Sequence, residues 1–348
     1  MTSAPTNRRH RAALVLAGAG AAIGAGIALQ ARRTRVRVLA DPAGEALAAP
    51  LDGRRIEVAG RDGTRLNVRA FGPEDAPTIV LGHGWTCALR FWTLQIQDLA
   101  RDHRVIGWDL RGHGDSESPV NRDYTIETLA DDLEAVLAGG LRDGERAVVA
   151  GHSLGGMALV AWAGRNPDAV GKRLAAAALL NTGVGGLMAE SLVIRSPARL
   201  EYTRDLAMRA LLSAAAPMPP IPNPITHEVV RYVALSRNAS PAVVEFSERM
   251  VLECGPEART GVGMTLTKLD LYEHVAQLTA PTTVVAGELD RLTPPIHSRR
   301  LEDALPDATY VELPGVGHMA PLESPAEING ILRDLVGTHL VRPSEVAA

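Results

Sequence analysis

Ser153 stands in the pentapeptide Gly151-His152-Ser153-Leu154-Gly155, after "ERAVVAG" and before "LGGMALVAWAGRNP". The first run has the small and β-branched residues of a buried strand, and the second the pattern of a helix. A strand that turns straight into a helix around a serine flanked by glycines is the sequence form of a nucleophile elbow. Such a corner is strained, and only residues without bulk at 151 and 155 let strand and helix close around it. It lifts the hydroxyl clear of the sheet and sets it at a helix N-terminus, where free N–H groups and the helix dipole favour a developing oxyanion. Serine is a weak nucleophile at neutral pH. It needs a base, and the base needs a carboxylate to fix its tautomer.

Both partners are expected downstream, on loops after later strands, in the order serine, acid, histidine. "VVAGELDRLTPP" ends a strand with Glu288 and Asp290, and "VELPGVGHMAPLESP" ends the last strand with His318 among turn residues. His318 is assigned as the general base and Asp290 as the acid that orients it. Glu288 is near enough to compete, and either carboxylate is also placed to cap the helix that follows. The oxyanion hole needs a second backbone donor from the loop after an earlier strand. "IVLGHGWTC" supplies it: the N–H of Trp85 joins that of Leu154, leaving the Trp85 side chain free to line an acyl pocket. His83 and His113 are read as turn-stabilising and His152 as supporting the elbow, because all three precede the serine in the chain. His227 and His274 carry no recognisable spacing.

The chain has 348 residues, 46% hydrophobic and 22% charged, enough for one large α/β core with an insertion. The formal net charge of -4 gives no electrostatic footprint for nucleic acid, so a small neutral molecule is the expected partner. Cys87 and Cys254 match no metal-ligand spacing and are read as free buried thiols, with a bridge open to them only if the chain is exported. Neither a metal nor an organic cofactor is implied.

"RRIEVAG" and "TRLNVRAFG" predict a hairpin, and from "PTIVLGHG" onward strands alternate with helices, which implies a parallel sheet covered on both faces. The rhythm stops over 183–275, a mostly helical stretch split by "PMPPIPNP" and too long to be a loop. It is read as an inserted helical cap, with the core formed by 53–182 and 276–348. Met188, Met208, Met218, Met250 and Met264 lie in it and suggest an adaptable apolar pocket.

Residues 1–52 stand apart from this pattern. Arg8, Arg9 and Arg11 precede the uncharged run 12–31, and "RRTRVRV" follows it. The run has the length of a bilayer-spanning helix, but it is rich in alanine and glycine. Three readings stay open: an uncleaved membrane anchor, a cleaved or twin-arginine export signal, or a loose imitation of a dinucleotide fingerprint by Gly18, Gly20 and Gly24. The location follows as membrane-associated or exported, and cytoplasmic if the run does not insert. Residues 32–52 read as a linker.

Five blocks taken together resemble the α/β-hydrolase family: "GHGW" at 82–85, "DLRGHGDS" at 109–116, "GHSLGG" at 151–156, "GELDRLTP" at 287–294 and "GVGHMAPLESP" at 315–325. Over residues 54–339 the likeness is to the cap-bearing branch of esterases, lipases and cofactor-free haloperoxidase-like enzymes. It implies an eight-stranded, mostly parallel sheet, a cap after the sixth strand, and Ser153, Asp290 and His318 as the triad. The expected activity is hydrolysis of carboxylic esters, and the methionine-bearing cap points to lipophilic acyl groups rather than a charged substrate. A carbon–carbon bond hydrolase or a perhydrolase would use the same constellation, and a small-ligand receptor would keep the fold without turnover. Relatives that open epoxides or remove halides carry aspartate at the place of Ser153, which disfavours both reactions here.

Overall fold

The computed structural model describes residues 29–193, 206, 221–305 and 307–340. The predicted strands form as β1 (Arg54–Ala59), β2 (Arg65–Phe71), β3 (Thr78–Gly82), β4 (Arg104–Trp108), β5 (Ala147–His152), β6 (Leu174–Leu180), β7 (Thr282–Gly287) and β8 (Ala308–Leu313). They build one eight-stranded sheet in the order β1-β2-β4-β3-β5-β6-β7-β8. β2 runs antiparallel to both of its neighbours, and every pair from β4 to β8 is parallel. All residues of β3 to β7 are buried, while β1 and β8 at the edges are partly exposed. A strand covered on both faces has no solvent side, which is why the central runs are apolar throughout rather than alternating.

Residues 29–39 form α1, followed by α2 (Ala43–Ala48), α3 (Thr93–Leu99), α4 (Ile126–Gly140), α5 (Leu154–Arg165) and α6 (Pro167–Arg173). On one face of the sheet α4 and α5 bury Leu129, Leu133, Leu159 and Trp162. The other face is covered by α3 and by α14 (Pro325–His339), which bury Ile96, Leu99, Ile328 and Leu332. Pro167 ends α5, as the sequence suggests, and also opens α6 at its first turn, where the missing N–H costs nothing.

Between β6 and β7 the described residues are helical: α7 (Leu187–Glu190), α8 (Pro224–Ala234), α9 (Pro241–Glu253), α10 (Pro256–Leu266) and α11 (Tyr272–Val275). Asn223 caps α8 in a reciprocal box with Thr226, and the Ser240 side chain accepts from Val243 N at the start of α9. After β7 come α12 (Pro295–Ala304) and α13 (Ala320–Glu323).

Residues 32–52 depart from the linker reading. Most of them lie in α1 and α2, and the Asp41 carboxylate between these helices accepts from Ala43 N at 3.0 Å and from Ala242 N of α9 at 2.9 Å. Leu47 is buried beneath. The alanines that give the stretch a linker-like composition are also strong helix formers once one face can dock. The apolar run 12–31 lies outside the described residues except for its last three. No described helix is long and apolar enough to cross a membrane. Cys87 and Cys254 are both buried and free.

Candidate active site

The elbow forms where the glycines predict it. Ser153, at φ 51 and ψ -115, joins β5 to α5 in a conformation that L side chains rarely adopt. Its N–H donates to Leu180 O at 2.9 Å, and its carbonyl accepts from Gly156 N, Met157 N and the Thr182 hydroxyl, so the corner is held from both sides. A Cβ at Gly155 would stand 2.3 Å from Gly82 O, and one at Gly151 would stand 2.4 Å from Gly156 N. Neither position tolerates a side chain.

Asp290 follows the end of β7 and His318 lies on the loop after β8. The Nδ1–H of His318 donates to Asp290 Oδ2 at 2.8 Å, which leaves Nε2 of a neutral ring as the acceptor. Both side chains are buried. Burial alone pushes the Asp290 carboxyl up, but the facing His318, the Thr293 N–H and the Asn181 amide together hold it below the ordinary aspartate value. The other carboxylate, Glu288, is exposed and accepts from Gly315 N at 2.7 Å, so it is not a partner of His318. Asp290 Oδ1 also accepts from Leu292 N and Thr293 N, an Asx turn ahead of α12.

Three polar groups that the sequence reading did not single out complete this corner. The Asn181 amide, just past β6, donates to Asp290 Oδ2 and to Gly317 O, both at 3.1 Å. Thr293 Oγ1 lies 2.9 Å from Asp290 Oδ2 and 3.2 Å from His318 Nδ1. Thr182 holds the Ser153 carbonyl. The signal available for Asn181 and Thr182 is a polar pair closing the apolar strand "LAAAALL" at the sheet edge that carries the other site residues. Thr86, Ser153 and Asn181 also share a positive φ, and such strain gathers at functional sites.

The three earlier histidines occupy structural positions. His83 donates from Nδ1 to Gly84 O and accepts Leu110 N on Nε2, tying the β3 loop to the β4 loop. His113 donates to Arg111 O at 2.9 Å. His152 donates from Nε2 to the main-chain carbonyl of His318 at 2.8 Å. Burial lowers His83 and His113 to about 4 and His152 to about 3, so all three rings stay neutral.

Gly84 brings the β3 loop onto the elbow, since a Cβ there would stand 3.1 Å from Ser153 Cβ. Leu154 is the first residue of α5, so its N–H has no acceptor within the helix. The Trp85 N–H likewise meets no acceptor among the described residues. The Trp85 side chain is held at its polar end, where Nε1–H donates to Arg259 O of α10 at 3.1 Å and fastens the loop after β3 to that helix.

Ser153 Oγ and His318 form no hydrogen bond in this structure, and such contacts commonly tighten only when substrate is bound. His318 instead packs against the elbow through His152, the residue before the serine, with ring centroids 4.9 Å apart. A cavity of about 1660 Å³ lies elsewhere, between α1, α2 and α9, and none of Ser153, Asp290 and His318 lines it. Of the five methionines, Met250 is buried in the core, Met188 is half-buried against it, Met264 is exposed, and Met208 and Met218 lie outside the described residues.

Among known proteins, the family model of the "Alpha/beta hydrolase family" matches residues 79–331. A putative carbamate hydrolase RutD of Variovorax paradoxus is 29% identical over 275 residues, covering 78% of this chain and 96% of its own. Among solved structures, the enol-lactonase from Burkholderia xenovorans is similar with a TM-score of 0.63 at 25% identity, covering 81% of this chain and 99% of its own. A thermophilic esterase from Thermogutta terrifontis has the same fold, with a TM-score of 0.66 at 23% identity over 84% of this chain and all of its own. With a family model spanning most of its length and a matching sheet, the chain belongs to the alpha/beta hydrolase family.

Proposed function

We propose that the chain is a serine hydrolase of carboxylic esters, working through an acyl-enzyme. Ser153 Oγ attacks the ester carbonyl while His318 Nε2 takes its proton. Asp290 fixes the ring and stabilises the imidazolium that forms. The N–H groups of Trp85 and Leu154 receive the oxyanion of the tetrahedral intermediate, a contribution of about 10²–10³ in rate for one donor. His318 then protonates the leaving alcohol, and a water that it activates releases the acid. These steps call on no cofactor.

The observation that carries this reading is the short bond from His318 Nδ1 to Asp290 beside a serine held at positive φ. A neutral, lipophilic acyl group is the favoured substrate. Two carboxylates beside the His318 loop are already engaged, Asp290 by His318 and Glu323, at the end of α13, by the N–H groups of Ser236 and Gly317. The half-buried Trp85 adds apolar surface next to the elbow.

Two measurements test the reading together. A fluorophosphonate probe should label the wild-type chain and leave Ser153→Ala unlabelled. A series of p-nitrophenyl esters should be turned over with rising efficiency as the acyl chain lengthens. Equal absence of label in both proteins, with no turnover of any ester, would support a binding protein on the same fold.

A further inference from the structure

Helix α8 carries an apolar stripe on its outer side. Ile225, Val229 and Tyr232 recur at helical spacing and are 69%, 54% and 49% exposed, with Ile221 just ahead of the helix also exposed. A monomer with nothing to dock seldom leaves such a row uncovered. Across a shallow groove from Pro224, Ile225, Val229 and Tyr232 lies Gln30 of α1. Glu228 shares the groove, but its carboxylate is paired with Arg231 one turn along, so it brings no net charge there.

Helix α1 supplies the second half of the surface. Arg32, Arg33 and Arg37 are exposed on it, with Leu29 and Val36 exposed among them, while Arg35 and Leu39 line the cavity between α1, α2 and α9. It also continues directly from the uncharged run that begins at residue 12. An apolar stripe and a cluster of arginines on adjoining helices have one common solvent. That solvent is the boundary between the headgroups and acyl chains of an anionic bilayer.

We propose that the outer face of α8 and the arginines of α1 form a lipid-docking surface for an anionic phospholipid bilayer, with Ile225, Val229 and Tyr232 entering the acyl boundary. This contact is separate from any insertion of residues 12–28, because it is made by the folded cap. It does not depend on the ester-hydrolase reading. The last turn of α8 nevertheless touches the catalytic loop, since Ala234 O accepts from His318 N at 3.1 Å, so the docked face lies close to the site.

The experiment uses the full-length chain bearing an environment-sensitive fluorophore on Val229→Cys, with Lys172→Cys on exposed α6 as the control, since both native thiols are buried. Vesicles are of phosphatidylcholine alone or mixed with phosphatidylglycerol. With the mixed vesicles the label at 229 should shift to the blue and be quenched by nitroxide-bearing lipid, while the label at 172 is unchanged. The variant carrying Ile225→Glu and Val229→Glu should partition into mixed vesicles about tenfold more weakly, with its thermal unfolding unaltered. Added salt should weaken the wild-type chain further. The proposal is overturned if the label at 229 stays water-exposed on vesicle-bound protein, or if the double variant binds as tightly as wild type. It is equally overturned if the label is already shielded without vesicles, because a segment of the same chain or a second copy then covers α8.

Discussion

His152 and His318 are locked ring to backbone: Nε2–H of His152 donates to the carbonyl of His318 at 2.8 Å, and its other ring nitrogen is buried without a partner. The residue that precedes Ser153 thus fixes the main chain of His318, and Phe91 backs the His152 ring with centroids 4.5 Å apart. Because the ring is neutral, its part is positional rather than electrostatic. His152→Phe keeps the bulk and loses the donor, and should lower kcat about 10- to 100-fold with KM little changed, as expected for a base moved slightly off line. His152→Gln, which restores a donor, should recover part of the loss. Steady-state kinetics on a chromogenic ester decide it, and an unchanged kcat in a destabilised His152→Phe protein would reduce the contact to packing.

The two carboxylates after β7 should separate sharply in function. Asp290→Asn keeps the shape but presents an amide to His318 Nδ1, which favours the wrong tautomer; a loss of about 10⁴ in kcat is the scale for such a change. Glu288→Gln should stay within about twofold, because an exposed carboxylate on one backbone N–H contributes little. If Glu288→Gln proved the more damaging substitution, the assignment of the acid would have to be exchanged.

The elbow and the central strands are legible in the sequence because their physics is local. A positive φ beside crowded backbone demands glycine at 151 and 155, and double-sided burial demands unbroken apolar runs. Asn181 and Thr293 escape such reading because their partners lie elsewhere in the fold: the Asn181 amide reaches a carboxylate 109 positions away. The bond that ties the Trp85 indole to α10 escapes it for the same reason, since the acceptor is 174 residues distant. The helices within 32–52 are missed because alanine and proline carry no periodic signal until α9 offers a surface to dock on. The sequence assigns Asp290 with Glu288 in competition, and the fold separates the two by burying Asp290 and leaving Glu288 in water.

Glycines in this chain should respond in opposite ways to the same substitution. Gly155→Ala drives a methyl into Gly82 O, and backbone on both sides leaves no room to yield, so folded protein should fall below detection. Gly171, exposed within α6, would place a Cβ in open space. Gly171→Ala should therefore stabilise by about 0.5–1 kcal/mol through reduced backbone entropy. Thermal unfolding of the second variant and soluble yield of the first provide the check, and a well-folded Gly155→Ala would contradict the packing of the elbow.

Acid sensitivity follows from the buried neutral histidines. His152 sits at about 3, and His83 and His113 at about 4, against an ordinary value of 6.5, because burial disfavours the charged form. The unfolded chain therefore binds more protons than the folded one once the pH drops below 6.5. The stability linked to these rings is complete above that point, and it is lost as the pH falls toward about 4 and then about 3. Each ring adds a slope of up to about 1.4 kcal/mol per pH unit inside its window. Asp290, held below 3.8, loses its share only at the acid end, where its carboxylate takes up a proton. Urea unfolding at neutral pH and again between the ordinary and folded values should show a steep fall. His113→Asn should reduce the slope by the equivalent of one proton, because its ring is the proton acceptor removed. An unchanged slope in that variant would mean that His113 is already charged in the folded protein, contrary to its burial.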